Sequence, residues 1–158
     1  FLYGFNFKSL EKIISTVTIS KISHKYALAK FHIIDLALKG AQNPINEFVK
    51  KFEKDPKYKI IINDIIKIKK LKSNAHPSVV KKLGMACSYP GTFNSSIHAI
   101  LSSTSYKVAI LKTIKAGGCN CSRANFIGAY FSALKGFNSI PKSWIKKTIP
   151  AKKILDQK

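Results

Sequence analysis

Apolar residues recur three and four positions apart along almost the whole chain, with lysines between them, which is the period of amphipathic helices rather than strands. The stretch Lys59 to Lys72 shows it most openly: Ile60, Ile61, Ile62, Ile65, Ile66, Ile68 and Leu71 stand against Lys59, Lys67, Lys69, Lys70 and Lys72. The punctuation is also of the helical kind. Asn43-Pro44 and Asp55-Pro56 each pair a capping residue with a proline at the first helical position, where no N–H is needed, and predict helices to about Lys54 and Leu71. Ser9 predicts a cap for a segment reaching about Ser20, although the β-branched residues between Ile13 and Ile19 weaken its helix propensity. Tyr26 to Lys39 reads as a helix closed by Gly40. His76-Pro77 precedes a short helix ending at Gly84, Pro90-Gly91 opens Thr92 to Leu101, and Ser105 caps Tyr106 to Lys115 ahead of Gly117-Gly118. A last long helix is predicted from Ser122 to Lys135, with Ala124, Gly128, Ser132 and Gly136 as a small-residue seam for close helix packing. Ile140-Pro141 starts a final short helix carrying Trp144. The fold class expected is therefore all-α, a multi-helix bundle.

Composition narrows the class of protein. With 46% apolar residues the chain can bury a core, and its 158 residues are the length of one domain. Lysines interrupt every isoleucine-rich run before it reaches the length of a transmembrane span. The formal net charge of +21 points first to a nucleic-acid-binding module and to non-specific attraction to polyanions. Arg123 is the only arginine, however, and arginine is the residue suited to bidentate phosphate and base contacts, so the lysines read better as a solvated face. The odd count of three cysteines does not resemble a secreted disulfide framework, and a reducing, cytoplasmic setting is expected.

The candidate chemistry is concentrated in Ala116 to Arg123, Ala-Gly-Gly-Cys-Asn-Cys-Ser-Arg, a glycine turn at the mouth of a helix. Helix N-termini favour phosphate and thiolate alike. Gly117, Gly118, Asn120, Ser122 and Arg123 are the candidate ligand-binding residues, and Cys119, Cys121 and Ser122 the candidate metal-site positions. The thiols could recruit a soft metal such as zinc, with Cys87 or His98 as further ligands, or act as a redox pair. They could equally do no more than fill space. His98, His24, His32 and His76 read as packed or surface histidines rather than catalytic ones. No carboxylate lies between Asp64 and Asp156, so this half of the chain offers a hard cation nothing of the kind it prefers.

This loop, together with Ala124 to Thr148 and the upstream run Gly84-Met-Ala-Cys-Ser-Tyr-Pro-Gly-Thr-Phe-Asn-Ser-Ser-Ile-His-Ala-Ile100, resembles the C-terminal segment of the ADP-ribosylglycohydrolase family, in its crystallin-like and selenoprotein J-like branch. In that family the loop reads Gly-Gly-Asp-x-Asp-Thr/Ser, and its aspartates and hydroxyl hold a magnesium pair that positions ADP-ribose. Cys119 and Cys121 stand where the aspartates would be, while Ser122 keeps the hydroxyl and Gly117 and Gly118 the turn. The family's Thr-Asp-Asp run has no counterpart here. The chain is accordingly expected to be the C-terminal portion of a longer protein, with 1–83 a helical part of faint family likeness and 84–158 the motif region of the same domain.

Three readings follow. The resemblance implies a fragment that binds or hydrolyses an ADP-ribose-type ligand, with its magnesium ligands replaced by cysteines. The alternatives are a catalytically inactive, crystallin-like structural protein and a basic nucleic-acid-binding module.

Overall fold

The computed structural model describes residues 6–156, which form ten α-helices and one 3-10 turn, with no strand among them. The helices are α1 (Phe7–Val17), α2 (Lys21–Leu38), α3 (Pro44–Phe52), α4 (Lys59–Lys70), α5 (His76–Leu83), α6 (Gly91–Leu101), α7 (Tyr106–Lys115), α8 (Asn120–Lys135), α9 (Lys142–Lys147) and α10 (Ala151–Leu155). The turn, Phe137–Ser139, follows α8. The all-α architecture predicted from the hydrophobic period is the one observed.

Local chemistry explains where the helices begin, including the places where the sequence reading misplaces them. Ser105 caps α7 as predicted, its hydroxyl accepting the Val108 N–H at 3.3 Å. The cap of α1 is Asn6 rather than Ser9: Asn6 Oδ1 accepts the Ser9 N–H at 3.2 Å. Ser20 caps α2 in the same way, so this helix starts well before Tyr26. Asp55-Pro56 opens a turn and not a helix. The Asp55 carboxylate accepts the Lys57 N–H at 2.8 Å and its carbonyl the Tyr58 N–H at 3.0 Å, so α4 begins only at Lys59. On α4, Ile61, Ile62, Ile65 and Ile68 face the core, whereas Ile60 and Ile66 are exposed.

The centre of the bundle is α6. Every residue from Gly91 to Ile100 is buried, and α4, α5, α7 and α8 all pack against it. Outside this group α2 lies against α8, with α1 and α3 on α2. A helix surrounded on all sides loses the usual polar face, and Asn94, Ser96 and His98 of α6 are paired within the protein, whereas the Thr92 and Ser95 hydroxyls are buried without a partner. Asn94 Nδ2 donates to Asp64 Oδ2 on α4 at 3.1 Å, and Tyr26 on α2 donates its hydroxyl to the same oxygen at 2.5 Å. Ser96 returns its hydroxyl to the Thr92 carbonyl at 2.7 Å. His98 bonds the Leu71 carbonyl through Nε2 at 2.9 Å and His76 through Nδ1 at 2.9 Å, the two rings stacked with centroids 5.1 Å apart. Donation from His98 Nε2 makes its Nδ1 the acceptor, so His76 donates from Nδ1.

Candidate functional site

Two loops meet at the N-terminal end of α8. The first, between α5 and α6, runs from Gly84 to the cis peptide Tyr89-Pro90; the second is the glycine turn between α7 and α8. Both glycines of the second loop adopt positive φ, +72° at Gly117 and +67° at Gly118. Gly118 is required for a second reason. A β-carbon there would stand 2.5 Å from the Met85 carbonyl oxygen, because the two backbones press together at this point. The contact is sealed by the Cys119 N–H, which donates to the same Met85 oxygen at 2.7 Å.

Cys119 is the N-cap residue of α8, and it is bonded to Cys87 of the first loop, with the two α-carbons 5.4 Å apart. Cys121 keeps a free, exposed thiol. A disulfide sulfur has no hydrogen to give, so the Ser122 hydroxyl donates to Cys119 Sγ at 3.1 Å and the Cys121 thiol lies against the same sulfur at 3.7 Å. The pairing crosses 32 residues and joins Cys119 to Cys87, not to Cys121, its partner in the redox pair considered from the sequence. The odd cysteine count hid it, since pairing is a property of the fold and not of spacing.

Arg123 also sits differently from its place among the ligand-binding candidates. Its side chain is fully buried and turned under the loop. Nε donates to the Thr113 hydroxyl at 2.9 Å, and Nη2 donates to Asn120 Oδ1 at 2.8 Å and to the Gly117 carbonyl. It therefore braces the turn from inside, taking up Asn120 and the Gly117 oxygen. Of the candidates, Gly118 and Cys121 are exposed, and Gly117, Cys119, Asn120 and Ser122 are half-buried. Thr113 is a member of the site that the sequence reading missed, since ten residues separate it from Arg123 and no local pattern joins them.

A further missed residue is Lys30 of α2. Its Nζ lies 4.9 Å from the Tyr89 ring centroid and 5.3 Å from that of Phe126, placing an amine against both segments that build the site. Burial pushes this lysine down to about 8. His98, a candidate soft-metal ligand by sequence, is committed to Leu71 and His76, and burial holds both imidazoles below the usual histidine range.

A sequence profile of the ADP-ribosylglycohydrolase family matches residues 9–156, nearly the whole chain. The chain belongs to the ADP-ribosylglycohydrolase family. The match extends well upstream of Gly84, where the motifs themselves begin. Among curated relatives, crystallin J1A of Tripedalia cystophora is 39% identical over 69 residues, covering 44% of this chain and 21% of the relative. Crystallin J1B of the same animal is 28% identical over 85 residues, covering 54% of this chain and 26% of the relative. The matched segments thus span about a fifth to a quarter of the length of these crystallins.

The magnesium implied by the ADP-ribosylglycohydrolase family does not fit the residues present. A hard cation takes oxygen ligands, whereas this loop presents a disulfide sulfur, a thiol and one hydroxyl. Nor does any group of three or more His, Cys, Asp or Glu among the described residues have an arrangement able to hold a metal ion. A soft metal at Cys87, Cys119 and Cys121 would first require reduction of the disulfide. No helix among the described residues is long and apolar enough to cross a membrane.

Proposed function

We propose that this segment is a non-hydrolytic, crystallin-like form of the ADP-ribosylglycohydrolase domain, serving as a close-packed structural body. The observation that carries this reading is the chemistry at Cys119. At a position where the family has a magnesium-binding aspartate, the sulfur is bonded to Cys87, and no carboxylate occurs from residue 65 to 155 to replace it. The names of the two relatives support the same reading, since both are called crystallins.

The test is turnover by the full-length protein. ADP-ribosylated peptides incubated with it, with and without magnesium, should release no ADP-ribose above the uncatalysed rate; magnesium-dependent release would sink the proposal. One observation favours retained ligand binding without hydrolysis: α8 begins at Asn120 with Cys121 exposed and Ser122 half-buried, so a helix N-terminus, where an anion is favoured, is open to solvent. In that case ADP-ribose raises the melting temperature saturably, and Ser122→Ala lowers the affinity. No thermal shift at millimolar ADP-ribose leaves the structural role alone.

A further inference from the structure

The family likeness does not account for three sulfurs gathered at one helix mouth. Cys87 and Cys119 are bonded, and the third sulfur, on Cys121, is a free thiol in van der Waals contact with Cys119 Sγ, 3.7 Å away. Cys87 is exposed as well. An accessible disulfide touching an accessible thiol has the composition needed for exchange: a nucleophile, an electrophilic sulfur and a leaving group that can enter water. We propose that Cys87, Cys119 and Cys121 form a thiol–disulfide exchange site in which Cys121 is the nucleophile, Cys119 the shared sulfur, and Cys87 the thiol delivered to small disulfide substrates.

The step balances without an outside oxidant. Cys121 gives its proton to water and attacks Cys119 Sγ; the Cys119–Cys121 bond forms as the Cys87–Cys119 bond breaks. Cys87 leaves with the bonding pair as a thiolate. The delivered Cys87 thiolate then attacks a low-molecular-weight disulfide, RSSR, to give Cys87–S–S–R and release RS⁻. The central sulfur is well placed for its part, because Ser122 donates a hydrogen bond to it at 3.1 Å and the Cys119 N–H stays anchored to the Met85 carbonyl at 2.7 Å. The loops therefore keep one tie when the sulfur bridge moves. Arg123 supports the turn from below, through Gly117 and Asn120, and none of its bonds involves sulfur. The proposal is independent of whether the domain binds ADP-ribose.

Trypsin makes the two isomers distinguishable. Cleavage after Lys82, Lys107, Lys115 and Arg123 puts Cys87 in peptide 83–107 and both other cysteines in peptide 116–123. The oxidised full-length protein is alkylated at timed intervals with iodoacetamide and digested without reduction. The starting isomer gives the two peptides linked, with the label on Cys121; exchange transfers the label to Cys87 and frees peptide 116–123 with an internal disulfide. In Cys121→Ser the rate of labelling at Cys87 falls at least about tenfold, while the helical circular dichroism stays unchanged. With oxidised glutathione present, the natural protein gains a mixed disulfide at Cys87 and Cys121→Ser does not. Cys87→Ser, a second variant, oxidises to the internal Cys119–Cys121 pair. Label confined to Cys121 at all times overturns the proposal, as does equal labelling of Cys87 in Cys121→Ser.

Discussion

Arg123 shows how a residue picked out by its place in a motif can be turned into the protein rather than outward. Its position after a glycine turn and a hydroxyl invites a phosphate contact, yet its planar fork is spent on Thr113, Asn120 and the Gly117 carbonyl. Lysine has one compact ammonium and cannot reach all three acceptors in this geometry. Arg123→Lys is expected to cost about 1–3 kcal/mol through acceptors left unpaired in a buried place. The measurement is the urea midpoint; an unchanged midpoint would mean that the brace contributes nothing. The histidine reading fares better at this scale. His98 and His76 are packed residues, but they partner each other, a pairing between α5 and α6 that no spacing announces.

At the scale of elements, the site depends on a loop pressed against another loop. Gly40 and Gly118 separate the two costs involved, because both have positive φ, +87° and +67°, but only Gly118 has backbone in the way. Gly40→Ala should cost about 1 kcal/mol, the price of the strained dihedral. Gly118→Ala should cost at least about 1 kcal/mol more, because its β-carbon collides with Met85 and cannot relax by moving a flexible side chain. Equal losses in thermal unfolding would show that the close approach is unimportant. Helix existence was legible in the sequence because caps and apolar periods are local signals, as at Ser105. Helix starts were less so where a side chain had two uses: Asp55 could cap a helix or close a turn, and it closes the turn.

For the molecule as a whole, charge and buried imidazoles set the response to solution conditions. Burial holds His76 and His98 below the ordinary histidine range and brings His32 to about 4. Between those depressed values and about pH 6.5 the unfolded chain binds protons that the folded chain refuses. Stability therefore falls as pH drops below about 6.5, by up to about 1.4 kcal/mol per pH unit for each of the fully buried histidines His76 and His98. Melting temperatures from pH 7.5 to 4.5 should decline accordingly, and the slope should shrink in His76→Gln; a flat profile would contradict it. The +21 charge predicts a second response. Affinity for heparin or DNA should be lost on raising salt from about 50 to about 200 mM, and binding that survived would favour a dedicated nucleic-acid interface.

The amino-acid sequence by itself determined the helical class and the family-bearing motifs, because period, caps and glycine turns act over a few residues. It also showed that no carboxylate lies between Asp64 and Asp156, which is a matter of composition alone. Only the tertiary structure decided which cysteines are bonded, which way Arg123 faces, and that Lys30 meets Tyr89 and Phe126. Each of these depends on chain segments brought together by burial of the α6 core. Burial sets distances between residues far apart in sequence, and local patterns carry no record of them.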